Sequence, residues 1–173
     1  MLDLILLSLQ NLPVAQVARA EIFFSEEQAA HQLFPTIPMK LKTIELTDEQ
    51  KKQIEKLADE EVREETIKVF TAKSGERVYI DRVLGKHEFI TYAVGLNADG
   101  SVKQIEIMEY KETYGGDVRK VEWRNQFVGK KKDSTLKLKD DIKNISGATL
   151  SSVHLTNGVR RILKTDDIIH AQL

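Results

Sequence analysis

The stretch whose residue types and spacing could do chemistry is Ser146-Gly147-Ala148-Thr149-Leu150-Ser151-Ser152. It is a loop of small and hydroxyl-bearing residues that feeds into a segment reading as a helix from about Leu150 to Leu163, with Val153, Val159, Ile162 and Leu163 apolar. The first amides of such a helix have no internal partners and lie at its positive end. Gly147 and Ala148 allow an anion close to the backbone, while Ser146, Thr149, Ser151 and Ser152 add hydroxyl donors. That combination suits a phosphate. The same residues also suit a second role, plain capping of the helix, and the local chemistry leaves both open.

Little else in the sequence competes. Of 173 residues, 26 are basic and 27 acidic, and the net charge of −1 gives no electrostatic case for nucleic-acid binding. The absence of cysteine excludes disulfide scaffolds, thiolate zinc sites, cysteine-ligated iron–sulfur clusters and thioether-attached haem. His31, His87, His154 and His170 are too scattered for a recognised ligand spacing. No glycine-rich dinucleotide fingerprint or Walker loop is present. Lys130-Lys131-Lys132, with Arg119, Lys120 and Arg124, forms a local basic zone, read either as solvated surface or as an attractor for an acidic partner. Glu109 and Glu112 give no sign of an acid/base pair. No nucleophile and base set or substrate-binding motif is visible, so substrate turnover by this chain alone is not indicated.

The elements that must position the loop follow from periodicity. Residues 1–20 read as an export segment, with an apolar run at Leu4-Ile5-Leu6-Leu7 and an A-x-A site at Ala18-Arg19-Ala20, although Asp3 is acidic and residues 2–10 carry no base. A true start upstream of this sequence, or a buried apolar helix, would also fit that composition. Residues 21–66 read as a helical N-terminal part. Ser25 to Gln28 and Thr47 to Gln50 are capping boxes, Pro35 and Pro38 end the first helix, and Ile54, Leu57, Ala58 and Val62 form the stripe of the second. Strands follow at Val78-Ile80 with Val83-Leu84, at Phe89-Val94, and at Val102-Tyr110, the last two joined by the Asn97-Ala98-Asp99-Gly100 turn. A brief strand is expected at Leu136-Leu138. Strands in the middle and helices at the ends predict an α+β fold, an antiparallel twisted sheet flanked by N- and C-terminal helices in a single domain.

The loop resembles the SGAT-x-[ST]-S signature of the FMN-binding domains found in sodium-pumping quinone reductases, ion-translocating Rnf complexes and related exported flavoproteins. The resemblance extends through Gly85-Lys86-His87-Glu88-Phe89-Ile90, Asp99-Gly100, Glu109 to Gly116, Trp123, Gln126 to Lys130 and Val159-Arg160-Arg161. It implies an FMN-binding domain over residues 67–173, with FMN as cofactor and Thr149 esterified to its phosphate. It further implies that a separate flavin transferase, using FAD and a divalent metal, makes the link. Ser146, Gly147 and Ala148 would hold the phosphate, with Leu150, Ser151 and Ser152 close by. Tyr114, Gly115, Gly116 and Trp123 would lie by the ring, since an aromatic can stack on a flavin and glycines admit a flat ligand.

By the same resemblance the chain would be an extracytoplasmic electron carrier, passing electrons between membrane or other extracytoplasmic redox proteins. The sequence departs from the family's target pattern at one place: the aspartate three residues before the signature serine is Lys143 here. That departure keeps two alternatives in play, a non-covalent FMN protein and a flavin-free accessory module of a membrane redox complex.

Overall fold

Alternating burial through the middle of the chain builds a six-stranded antiparallel sheet, and helices cover both of its faces. A computed structural model describes residues 21–173; the expected export segment lies outside them. In chain order the elements are β1 (Glu21–Ile22), α1 (Glu26–Leu33), β2 (Lys40–Glu45), α2 (Asp48–Ala58), β3 (Thr66–Thr71), β4 (Arg77–Leu84), β5 (Phe89–Leu96), β6 (Val102–Tyr110), α3 (Val121–Arg124) and α4 (Thr149–Ile169). The strand order is β1-β6-β5-β4-β3-β2, so β2 to β6 form a meander and β1 adds the far edge.

Both early helices start at the capping boxes read from the sequence. Ser25 Oγ accepts from the Gln28 amide at 3.2 Å, and Thr47 Oγ1 accepts from the Gln50 amide at 3.2 Å. In each case the glutamine side chain returns a bond to the cap amide. Helix α1 buries Ala29, Ala30 and Leu33 against Phe70, Val78, Ala93 and Met108 on one sheet face. The opposite face carries Val69, Tyr79, Val83, Ile90, Tyr92, Val94, Ile105 and Ile107, and α4 lies on it.

One irregularity re-aims a side chain toward the loop. Thr91 pairs with Glu109 and Tyr92 pairs with Ile107, so Met108 is an extra residue on β6 and makes a bulge. Strict alternation from Ile105 and Ile107 would put Glu109 on the α4 side. The bulge puts Tyr110 there instead, opposite Ile90 and within the α4-side core.

Helix α4 runs antiparallel to β4 and is tied to it twice, with the charges swapped. Arg77 on β4 pairs with Asp166 on α4 through Nε at 2.5 Å and Nη2 at 2.9 Å, and the Tyr79 hydroxyl donates to Asp166 at 2.7 Å. Two residues beyond Tyr79, Asp81 accepts from Arg161 at 2.6 Å and from the Tyr92 hydroxyl at 2.7 Å. Burial, followed by the neighbouring Asp166 and Asp81 carboxylates, pushes the Tyr79 and Tyr92 phenols well up, so both stay protonated donors. One turn before the Arg161 tie, Gly158 lets the helix approach closely. A Cβ there would overlap the Tyr92 hydroxyl and come within 2.8 Å of Val83 Cγ1.

The expected strands are all present except Leu136–Leu138. There the Asp141 carboxylate accepts from the Leu136 and Lys137 amides at 3.1 and 2.8 Å, and Leu138 makes only an isolated bridge to Ile142. A side chain has taken the bonds that a strand partner would have made. The segment 21–66 is not purely helical, since it supplies both edge strands of the one sheet. Leu57 is exposed rather than part of the α2 stripe, because α2 ends at Ala58 and turns Ile54 and Ala58 inward. Helix α4 starts at Thr149 and continues to Ile169, six residues past the apolar run that predicted it.

At the β4–β5 end, the Glu112 carboxylate ties the 85–88 turn by accepting from the His87 and Glu88 amides at 2.6 and 3.1 Å. Burial alone would raise its pKa, but hydrogen bonds from the His87, Glu88 and Lys86 amides outweigh it and hold the carboxyl below its ordinary 4.5. The tie is therefore complete above pH 4.5 and fails as the pH falls through the lowered value. In an NMR titration the His87 and Glu88 amide shifts should move together with a midpoint below 4.5, and Glu112→Gln should abolish that step. A midpoint at or above 4.5 would contradict it. For Gly158→Ala, overpacking of about 1–3 kcal/mol should outweigh the gain of about 1 kcal/mol in helix propensity. Urea unfolding should show net destabilisation, partly restored by adding Tyr92→Phe.

Candidate functional site

Helix α4 begins without a side-chain cap. Its N-cap is Ala148, and the first intrahelical bond runs from the Ser152 amide to the Ala148 carbonyl at 2.9 Å. The Thr149, Leu150 and Ser151 amides therefore stand at the helix mouth as first-turn donors without a partner among the described residues. Helices α1 and α2 each carry a capping box and two acids in the first turn, whereas α4 has neither. Of the two roles left open by the local chemistry, capping by hydroxyls is not the one taken. What remains is a positive helix end, ringed by exposed Ser146, Gly147 and Thr149. Gly147 has φ +82, and the space where its Cβ would lie is empty to 4 Å.

Three side chains from the α3 region and β6 hold this mouth in place. The Trp123 indole N–H donates to the Lys143 carbonyl at 2.8 Å, and Gln126 Oε1 accepts from the Lys143 amide at 2.7 Å. The two peptide groups that flank Lys143 are thus fixed just ahead of the loop. The Tyr110 hydroxyl, aimed by the bulge, donates to the Tyr114 carbonyl at 2.6 Å and lies 3.3 Å from Ser151 Oγ. This brings the Tyr114-Gly115-Gly116 turn against the first turn of α4. Gly115 has φ +86, and a Cβ on it would sit 2.8 Å from the Tyr110 hydroxyl and 3.2 Å from Ser151 Oγ, so only glycine fits.

The residues singled out from the sequence divide by depth. Ser146, Gly147, Thr149 and Leu150 are exposed, and Tyr114 is 83% exposed. Gly115 and Gly116 are half-buried beside them. Ala148 and Ser151 are buried beneath, and Ser152 is fully buried with its hydroxyl unpartnered. Trp123 is also buried, 5% exposed, with its ring edge-on to Phe127 at 5.1 Å. Its indole N–H supports the loop from below. His87 is exposed and engages Glu112 through its amide.

The basic zone is largely neutralised. Lys130 pairs with Asp141, Lys131 with Asp99, Lys132 with Asp167, Lys120 with Asp117, and Arg124 with Glu106. Lys143 is exposed, and only its backbone is engaged by the bonds described.

Sequence reasoning did not assign three roles. Asn144 Nδ2 donates to Thr149 Oγ1 at 3.1 Å, while its Oδ1 is buried without a partner. Tyr110 and Gln126 lie within the stretch that carries the resemblance, but nothing in their spacing shows that one bridges to α4 and the other grips Lys143.

The arrangement fits a phosphate-bearing cofactor on its own chemistry. The helix mouth supplies amide donors and no competing carboxylate, and Ser146 and Thr149 supply accessible hydroxyls. No curated protein matches the chain. Residues 85–164, which hold the 85–88 turn, β5, β6, α3, the loop and most of α4, match the family model of the FMN-binding domain. Residues 85–164 thus resemble an FMN-binding domain, and FMN is the cofactor that this family implies.

Proposed function

We propose that this chain is an extracytoplasmic electron-transfer protein whose FMN is joined through its phosphate to Thr149 Oγ. The observation that carries the reading is the exposed Thr149 hydroxyl at the uncapped mouth of α4, inside the matched domain. A phosphoester needs a side-chain oxygen in place of one phosphate oxygen, and Thr149 offers one where helix amides and Ser146 favour the remaining charge. Tyr114 and Leu150 are the exposed apolar side chains flanking this point, and they suit one edge of a planar ring. When bound, FMN supplies acceptance of two electrons and their release one at a time. The protein's contribution is to bind, orient and partly shield it. The Ala18-Arg19-Ala20 site supports export, and export supports redox partners in or beyond the membrane. The modifying enzyme is a flavin transferase acting on this chain.

A second reading, non-covalent FMN, is favoured by Lys143, whose charge is opposite to that of the aspartate in the transferase target pattern. The two readings separate on one preparation. Co-expressed with a flavin transferase, the protein should keep its yellow colour on denaturation and gain the mass of one FMN less water. Thr149→Val should remove both signatures. Because Thr149 is exposed, the change should shift folding stability by no more than about 0.5 kcal/mol. Colour lost on denaturation would favour the non-covalent form, and a colourless protein that leaves added FMN unperturbed would sink both.

A further inference from the structure

Asn144 sits one residue beyond the Lys143 peptide, whose amide and carbonyl are held by Gln126 and Trp123. That grip fixes where the Asn144 side chain starts, and the side chain turns across the loop to Thr149. We propose that Asn144 is the positioning residue for modification of Thr149: its Nδ2–H fixes the Thr149 oxygen for attack and stabilises the charge that develops on it. The proposal rests on the attachment reading above.

A helical threonine divides between two rotamers, partly because its hydroxyl can bond back to the preceding turn. At Thr149 the carbonyl four residues back, Ile145, already accepts from the Ala148 amide at 3.0 Å. The Asn144 bond at 3.1 Å selects the rotamer that keeps Oγ1 toward the loop. A hydroxyl oxygen has two lone pairs and one proton. With one lone pair taken by Nδ2–H, the second is left for the new bond, and the proton is left free to depart.

The step balances with FAD as co-reactant. Thr149 Oγ bonds to the flavin-side phosphorus, the bond from that phosphorus to the oxygen shared with AMP breaks, and AMP leaves. The hydroxyl proton passes to a base on the transferase. A donor aimed at Oγ is most useful as that proton departs, when negative charge builds on the oxygen.

The other half of the amide points the same way. Asn144 Oδ1 is buried and has no partner among the described residues, an arrangement that is costly unless a role requires it. Exchanging the amide oxygen and nitrogen would reverse the role, making Asn144 an acceptor from the hydroxyl. Aspartate at this position keeps the shape, accepts and does not donate, so it separates the two.

The test uses full-length apo-protein as the substrate of a flavin transferase with FAD and Mg²⁺, followed by intact mass. The background is wild type or, if wild type is not modified, Lys143→Asp. Asn144→Ala and Asn144→Asp should each lower kcat by about tenfold or more, with KM for the apo-protein within about twofold and the thermal midpoint of the apo-protein unchanged. A loss confined to KM, or an Asn144→Asp variant as fast as its parent, would overturn the proposal. No modification in either background would overturn the attachment reading and the proposal with it.

Discussion

The pair of reciprocal ties between β4 and α4 is the constraint on which the rest depends. Arg77, Tyr79 and Asp81 occupy successive positions on one face of β4 and meet Asp166 and Arg161 on the helix. Buried ion pairs of this kind add little net stability over apolar packing, because desolvation offsets most of the attraction. Their effect is on register. Sliding α4 by one turn would leave Arg161 and Asp166 buried and unpaired, at about 3–5 kcal/mol for each broken pair. Opposite charge order at the two ties excludes the shifted arrangement, and Gly158 sets the depth at which the helix lies.

A helix fixed in register delivers its N-terminus to one place. The mouth of α4 meets the end of β6, where the Met108 bulge turns Tyr110 inward to bind both the Tyr114 carbonyl and Ser151. The Trp123 and Gln126 grip on Lys143 then sets the path of the chain into the loop. Rigid elements therefore surround a short, exposed run from Ser146 to Leu150. Precision lies in the frame, and access lies in the loop. The proposed attachment at Thr149 would need both, access for another enzyme and a fixed orientation for the cofactor.

Much of this was legible in the sequence. Both capping boxes, the β5–β6 hairpin, the long C-terminal helix and the α+β class follow from cap chemistry, turn residues and periodicity. Edge strand β2 did not show, because Lys40, Leu41, Thr43 and Glu45 are exposed on it, Lys42 is half-buried and Ile44 is its one buried residue, so it lacks an apolar alternation. Lysines on an edge strand also discourage pairing with other chains. The last turns of α4 escaped because Thr165 and Asp166 are buried by polar partners, not by apolar contact. At the site, Thr149 and its neighbours stood out by composition. The supporting role of Trp123 did not show, because its indole N–H bond to Lys143 spans 20 residues. Asn144, Tyr110 and Gln126 act through contacts at separations of 5 to 41 residues, which no local pattern encodes.

The central claim, that the FMN phosphate is joined to Thr149 at the mouth of α4, is tested most directly by ³¹P NMR of the flavin-loaded protein after denaturation. A phosphoester to threonine is a diester with no proton to lose near neutrality, so its resonance should stay with the protein and hold its position from about pH 5 to 8. A resonance that separates from the protein and titrates near pH 6, as a free phosphomonoester does, would contradict it.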